Sequence, residues 1–150
     1  MSRIILKLSG EALAGENDGS VRNAKGAVKL YDEAVIAGIA AQVKKLHDAG
    51  HQIGVVTGGG NIWRGRTGDE IHRVKSDQIG MLATVMNCLY VSEIFQGAGL
   101  RTEVMTPFVC GAFTEQFSRD RAVRCLEEGT VVFFAGGTGH PYFSTDTGIV

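Results

Sequence analysis

Hydrophobic and polar positions follow two periods along this chain: short aliphatic runs, and longer stretches with helical spacing. The short runs predict strands at Arg3–Leu8, Gln52–Thr57, Leu100–Thr106 and Thr130–Ala135. The longer stretches predict helices at Asp32–Ala49, from an N-cap region at Ser76-Asp77 to about Ala98, and over a segment ending near Glu128. Because strands alternate with helices, we expect an α/β fold, a three-layer αβα sandwich with a mainly parallel sheet.

The apolar positions within each helical stretch predict which face is buried. The first helix should turn inward Val35, Ile36, Ile39, Ala40, Val43 and Leu46, and the last helix Phe117, Ala122, Val123 and Leu126. The long middle helix is apolar on more than one face. This breadth predicts burial on two sides, either inside one domain or between the sheet and a second subunit.

Three of the four predicted strands end in polar loops that contain glycine, at Ser9-Gly10, Gly58–Asn61 and Gly136–Gly139. Ligands of parallel sheets bind outside the carboxyl ends of the strands, where these loops should converge. Glycine lets an anion approach the backbone closely, and Arg64 could add a forked contact. A flexible turn would explain one glycine but not the three at Gly58–Gly60, so the loops predict a phosphate-containing ligand.

Composition narrows the class of protein. Hydrophobic residues make up 44% and charged residues 21% of the 150 residues, which is typical of a soluble globular domain. The net charge of −1 predicts neither a nucleic-acid nor a membrane partner. The three cysteines form no C-x-x-C pair, and Lys7 interrupts an N-terminal apolar run too short for a signal peptide. A cytoplasmic location and the absence of a metal site are therefore expected.

The motifs that are absent are also informative. The sequence contains no G-x-x-x-x-G-K-[ST], no G-x-G-x-x-G and no G-x-S-x-G. The candidate groups that remain are lysine, arginine, hydroxyls and glycine loops. This set favours phosphoryl transfer, in which positioning and charge neutralisation dominate catalysis. A phosphate acceptor is already anionic at neutral pH, so such a reaction needs no general base.

For four features of the sequence, three single residues and one aromatic pair, a structural role is an alternative to a functional one. Lys7 is either functional or an edge-strand lysine that discourages aggregation. Asp77 is either a helix cap or an acceptor for ribose hydroxyls. His140 is an acid, base or metal ligand, or more simply a hydrogen-bonding residue, because no second histidine lies near it in sequence. Tyr142-Phe143 packs in the core or stacks on a base.

Four blocks of the sequence resemble a known family, in that family's order and across nearly the whole chain. They are Lys7–Leu13, Gly58–Asn61 with Arg64-Gly65, Asp77 with Gly80–Asn87, and Thr138–Asp146. Together they are similar to bacterial-type UMP kinases of the amino-acid-kinase superfamily. The last two blocks distinguish this family from acetylglutamate and aspartate kinases.

The resemblance implies transfer of the γ-phosphoryl group of Mg·ATP to UMP, giving UDP and ADP, with Mg²⁺ bound to ATP. Lys7 would neutralise the transferring group. The ATP-binding residues implied are Lys7, Leu8, Ser9, Gly10, Gly60 and Arg64. The UMP-binding residues implied are Gly59, Asp77, Thr138, Gly139, His140, Pro141, Tyr142, Phe143, Ser144 and Thr145. The family is typically a homohexamer, with the long helix as its dimer contact.

The sequence departs from the family pattern in three respects. It stops at Val150, where family members continue into the segment that binds the adenine and ribose of ATP. We therefore expect residues 1–150 to hold the UMP-binding portion and to lack the C-terminal ATP-binding portion. A non-catalytic UMP-binding fragment, or another small-phosphate kinase of the superfamily, are the alternatives. The glycine-phenylalanine-glycine pattern linked to GTP activation is missing from Ala14–Ala37, and His140 replaces the usual asparagine.

Overall fold

The computed structural model describes residues 1–16, 21–64 and 71–143. In these residues one parallel sheet contains β1 (Arg3–Leu8), β2 (Gln52–Thr57), β3 (Thr102–Thr106), β4 (Glu115–Gln116) and β5 (Val131–Phe134), in the spatial order β1-β2-β5-β3-β4. The helices are α1 (Gly10–Ala14), α2 (Glu33–Asp48), α3 (Arg73–Gly97) and α4 (Arg119–Glu127). The predicted α/β fold with a parallel sheet is confirmed.

The central strand β5 shows how the helices cover both faces of the sheet. Val131 and Phe133 belong to the main core with α2 and α3, whereas Val132 lies in a second cluster with Ala122 and Leu126 of α4. Because successive side chains of a strand point to opposite faces, α4 lies on the face opposite α2 and α3. The strand is buried on both sides, as its continuous apolar sequence predicts.

Most predicted boundaries are confirmed. The strands β1 and β2 have the predicted limits, and α2 differs from its prediction by one residue at each end. The carboxylate of Asp32 caps α2 by accepting a hydrogen bond from the Val35 amide at 3.2 Å. Gly50 follows the helix with a φ of 85°, a left-handed conformation that suits glycine.

Two elements begin where the sequence did not predict them. α3 starts at Arg73 with His72 as its N-cap, so the predicted cap at Ser76-Asp77 is wrong. Ser76 is instead buried inside the helix, where its hydroxyl oxygen accepts a hydrogen bond from the Trp63 indole at 3.1 Å. Ser9-Gly10 follows the end of β1 as predicted, but Ser9 also caps the short helix α1, which was not predicted.

The predicted buried faces of α2 and α4 are too wide. In α2, Ile36, Ala40 and Val43 are buried, whereas Val35 and Leu46 are exposed. These last two residues lie at the edges of the apolar stripe, and a helix that rests on a sheet buries only its centre. Phe117 precedes α4 and is also exposed. The two-residue strand β4 was not predicted, since it is too short to show a period.

Among the described residues, one helix, α3, is long and apolar enough by length and composition to cross a membrane. Half of its apolar stretch is buried inside the protein, against β2, β3, β5 and α2. Its inner side therefore packs in the core, whereas Leu82 and Met86 on the opposite side are exposed, so the predicted burial on a second side is not seen within the described residues.

Gly38 and Gly50 offer a matched test of backbone conformation, because a methyl group added at either position meets no atom within 4 Å. Gly38 lies inside α2, so Gly38→Ala should raise the free energy of unfolding by about 0.5–1 kcal/mol. Gly50 has positive φ, so Gly50→Ala should lower it. Urea denaturation of both variants checks this prediction, and a change of the same sign in both would contradict it.

Candidate functional site

The loops after β1 and β2 are in direct contact. The Gly58 amide donates a hydrogen bond to the Leu8 carbonyl at 2.8 Å. A methyl group on Gly10 would lie only 2.6 Å from the Gly60 nitrogen and 2.7 Å from the Asn61 nitrogen. The close approach of the two turns therefore requires glycine at position 10. The predicted convergence of these two loops is confirmed.

Lys7 lies at the carboxyl end of β1. Its register partner is Val56 of β2, one position before the strand ends, and Lys7 is exposed. Leu8 is half-buried, and the Ser9 hydroxyl accepts a hydrogen bond from the Ala12 amide at 3.1 Å. The structure thus brings the lysine and the backbone of the first predicted block to the edge where the glycine turn begins.

The glycine turn itself is held against α3. The amides of Ile62 and Trp63 both donate to the Gly59 carbonyl, at 3.0 and 2.9 Å. A methyl group on Gly59 would lie 2.9 Å from the Ala83 side chain and 3.1 Å from the Gly80 carbonyl. Glycine at position 59 therefore allows the turn to rest on the helix backbone.

Arg64 is exposed at the end of this turn. Its side chain donates a hydrogen bond to the Gly60 carbonyl at 3.1 Å, and its guanidinium lies 3.5 Å from the Glu11 carboxylate. An exposed ion pair of this kind contributes little to stability. The guanidinium can therefore exchange Glu11 for a phosphate at small cost, which is consistent with the predicted role.

The loop after β5 reaches the same part of α3. The Gly136 amide donates to the Thr84 hydroxyl at 2.9 Å, and that hydroxyl donates to the Met81 carbonyl at 2.7 Å. A methyl group on Gly59 would also lie 3.5 Å from the Thr84 nitrogen. The second and third predicted loops thus converge, as the sequence indicated, and they meet at one turn of α3, which it did not predict.

Asp77 connects α3 to the end of the third loop. Its carboxylate accepts a hydrogen bond from the Tyr142 amide at 2.8 Å and two from the Arg73 side chain at 3.2 Å. The Arg73 guanidinium also lies 5.1 Å from the centre of the Tyr142 ring. Because His72 caps the helix, the alternative that Asp77 is an N-cap is wrong.

The aromatic pair in the last block is on the surface. Tyr142 is 63% exposed and Phe143 is 59% exposed, so the core-packing alternative is wrong. Tyr142 adopts a φ of 69°, a left-handed conformation that is uncommon for a bulky residue. His140 is exposed, and its amide donates to the Thr138 hydroxyl at 3.2 Å. Ser144 and Thr145 lie outside the described residues.

Sequence reasoning assigned no role to a buried polar cluster beneath the glycine turn. Asn87 of α3 contacts Gly58, Asn61 and Tyr31 through hydrogen bonds of 2.6–3.2 Å. Burial, the nearby Tyr90 and the nearby Cys88 raise the pKa of Tyr31 to about 12, so its hydroxyl stays protonated at neutral pH. The available signal was an asparagine inside an otherwise apolar helical stretch.

Two further observations concern a cavity away from these loops and the side chains that could bind a metal ion. A cavity of about 580 Å³, lined by residues between Val21 and Glu33 and by Tyr90, contains none of the predicted site residues. Within residues 1–16, 21–64 and 71–143 there is no group of three or more histidine, cysteine or acidic side chains arranged to hold a metal ion.

The contact between the two turns can be tested with a pair of alanine variants. Gly10→Ala forces a methyl group against the backbone of the glycine turn, so the free energy of unfolding should fall by about 1–3 kcal/mol. Gly60→Ala meets chiefly the end of the exposed Glu11 side chain, which can move away, so its loss should be smaller. Denaturant unfolding measures both, and equal losses would contradict the backbone contact.

Comparison with known proteins gives relatives over nearly the whole chain. A curated uridylate kinase from Bacteroides thetaiotaomicron is 45% identical over 148 residues, which are 97% of this chain and 58% of that protein. The crystal structure of UMP kinase from Bacillus anthracis is similar with a TM-score of 0.83 and 35% identity, over 96% of this chain and 56% of that one.

A second solved structure, UMP kinase from Ureaplasma parvum, has a TM-score of 0.82 and 32% identity, over 97% of this chain and 60% of that one. The chain thus spans less than two thirds of the length of each of these three relatives. The model of the amino acid kinase family matches residues 2–150. With its parallel sheet and its three convergent glycine loops, this chain belongs to the amino acid kinase family.

Proposed function

We propose that this protein carries the UMP site and the phosphoryl-transfer lysine of a UMP kinase, which transfers the γ-phosphoryl group of Mg·ATP to UMP. The observation that supports this most directly is the convergence of three loops: the loop after β1 contacts the loop after β2, and the loops after β2 and β5 meet at one turn of α3. The names of the similar uridylate and UMP kinases support the choice of substrate.

On the ATP side, the proposal assigns charge neutralisation to Lys7, at the end of β1. The ammonium group would stabilise the charge that spreads over the phosphoryl oxygens as they move. The backbone of Leu8–Gly10 and of Gly60 would line the phosphates, and Arg64 would close on them after leaving Glu11. Mg²⁺ enters as part of the substrate Mg·ATP, held by the phosphate oxygens.

On the UMP side, Gly59 and Asp77 would hold the nucleotide, and Thr138–Thr145 would surround its base and ribose. The exposure of the Tyr142 and Phe143 rings supports this proposal, because an exposed ring offers a face to a base. The carboxylate of Asp77 is held by Arg73 and by the Tyr142 amide, which fixes its direction. A carboxylate oriented in this way can accept hydrogen bonds from ribose hydroxyls.

Two further functions are candidates. Since the chain corresponds to 58% of the length of the curated relative, one candidate is UMP binding without transfer. The other is a different small-phosphate kinase of the same family. Calorimetric titration with UMP, CMP, dCMP and carbamate, followed by an assay of UDP formation with Mg·ATP, separates the three. Failure to bind UMP would overturn the proposal, and binding without UDP formation would favour the first candidate.

The proposal includes a cytoplasmic homo-oligomer, a hexamer by family resemblance, in which α3 pairs with α3 of a second copy. Leu82 is 52% exposed and Met86 is 50% exposed. They are four residues apart, so they share one face of the helix, opposite the side buried in the core. Two exposed apolar side chains on the same face of α3 support a contact with another subunit.

The role of Lys7 leads to a specific kinetic prediction. Lys7→Ala should lower the rate of UDP formation by at least about 10²-fold, because a charge that acts in the transition state is lost. The Kd for UMP should change less than about twofold, since no group assigned to UMP is altered. Calorimetry and a coupled assay measure the two effects, with Lys45→Ala on α2 as the control. An equal loss of UMP affinity would contradict the assignment.

The role of α3 in assembly leads to a second prediction. Met86→Glu places a charge on the proposed contact, so sedimentation equilibrium should show a smaller assembly than the wild type. Val35→Glu is the control, because Val35 is also an exposed apolar residue but lies on α2. An unchanged assembly for Met86→Glu, or the same dissociation in the control, would exclude α3 as the contact.

A further inference from the structure

Asn87 is a fully buried polar residue in the middle of α3, with 0% exposure. Its neighbours in the core are largely apolar, and burying an amide in such surroundings is unfavourable unless all its hydrogen bonds are made. The roles proposed above for the glycine turn do not include Asn87. Its position beneath Gly58 and Asn61 nevertheless suggests a function for it.

The hydrogen bonds of Asn87 use the full capacity of its side chain. Its amide nitrogen donates to the Gly58 carbonyl at 2.6 Å and to Asn61 Oδ1 at 2.8 Å. Its amide oxygen accepts from the Tyr31 hydroxyl at 2.9 Å and from Asn61 Nδ2 at 3.2 Å. An amide offers two N–H donors and two acceptor lone pairs, and all four are engaged.

These hydrogen bonds join both ends of the glycine turn to one rigid helix. Asn87 holds the carbonyl of Gly58 at the start of the turn and the side chain of Asn61 at its end. The other N–H of the Asn61 amide donates to the Leu30 carbonyl at 3.1 Å. The turn is therefore fixed from below by side chains, while the backbone nitrogens of Gly60 and Asn61 face Gly10 of the first loop.

We propose that Asn87 is a positioning residue that sets the shape of the anion-binding turn Gly58–Asn61 through its paired amide contact with Asn61. This inference rests on the proposed function, which assigns Gly60 of this turn to the phosphates of ATP and Gly59 to UMP. Asn87 acts through the turn and does not touch the substrate. An anion-binding turn gains affinity when its N–H groups are held in place before binding, since no ordering cost remains.

Only an amide fits this position. An aspartate has nearly the same shape but cannot donate, so its carboxylate would face the Gly58 carbonyl and Asn61 Oδ1 without a proton between them. A leucine of similar volume would leave the Gly58 carbonyl and the Tyr31 hydroxyl without their partner. Asn87→Leu therefore removes the hydrogen bonds while it keeps most of the packing.

Tyr31 supports the same cluster from the opposite side. Its hydroxyl donates to Asn87, and its ring stacks on Tyr90 with centroids 3.8 Å apart and an interplanar angle of 9°. The Tyr90 hydroxyl instead donates to Glu33 at 3.1 Å, outside the cluster. Tyr31→Phe and Tyr90→Phe are therefore a matched pair of variants. Each removes one hydroxyl, but only the Tyr31 hydroxyl bonds to Asn87.

Hydrogen exchange of the backbone amides tests the proposal directly. In Asn87→Leu, the amides of Ile62 and Trp63, which close the turn, should exchange at least about tenfold faster, because the turn opens without unfolding the domain. The amides of β2, next to the turn, should keep their protection. Tyr31→Phe should give a smaller effect in the same direction, and Tyr90→Phe none.

Ser92→Ala is the control for loss of a buried polar group from the same helix, because among the described residues the Ser92 hydroxyl donates only to the Leu89 carbonyl. Faster exchange throughout the domain, or no change in the turn, would overturn the proposal. Tyr31→Phe is the second variant that decides if Asn87→Leu does not fold. If the amides of Ile62 and Trp63 exchange in Tyr31→Phe at the wild-type rate, the proposal is overturned.

Titration with Mg·ATP separates this inference from the proposed function. For Asn87→Leu the Kd for Mg·ATP should rise about tenfold or more, since small displacements of positioning groups have large effects, and the Kd for UMP should rise as well, because Gly59 of the same turn is assigned to UMP. If the wild type binds UMP but no Mg·ATP, the candidate function of UMP binding without transfer is favoured, and the exchange pattern alone decides the role of Asn87. An unchanged Kd together with altered exchange would overturn the role in anion binding.

Discussion

The close approach of the first two loops is the constraint on which the site depends. Gly10 leaves room for the backbone of Gly60 and Asn61, and any side chain there would push the turns apart. Because the strands β1 and β2 are parallel neighbours in register, both turns leave the sheet at the same edge. The two turns thus touch through their backbones, with no side chain between them, and this contact brings Lys7 and the glycine turn together.

The long helix α3 is the common support of this site. It holds the glycine turn through Asn87, the β5 loop through Thr84, and the last described segment through Asp77. Asp77, Thr84 and Asn87 lie within about three turns of one helix, and its other buried residues are apolar except Ser76 and Ser92. A rigid helix fixes distances between loops better than loops can by themselves, so changes in α3 should reach the site without touching a ligand.

The charged groups at the proposed site differ in how firmly they are held. Arg64 and Glu11 form an exposed pair that can be exchanged, whereas Asp77 is fixed by two partners. The chain as a whole carries a net charge of −1, so attraction for an anionic ligand has to arise locally. In the proposed site, backbone N–H groups together with Lys7 and Arg64 at the sheet edge would supply it.

The periods of apolar residues were sufficient to determine the parallel α/β fold, the limits of β1, β2 and α2, and the edge at which three glycine loops converge. These features depend on local spacing, which a sequence contains. The start of α3 depended on tertiary contacts, because Ser76 could serve as a cap or bond to Trp63, and only packing selects between them. In the same way, the sequence shows Asn87 only as a polar residue within an apolar helical stretch, and its support of the glycine turn arises only when residues far apart in the chain surround it.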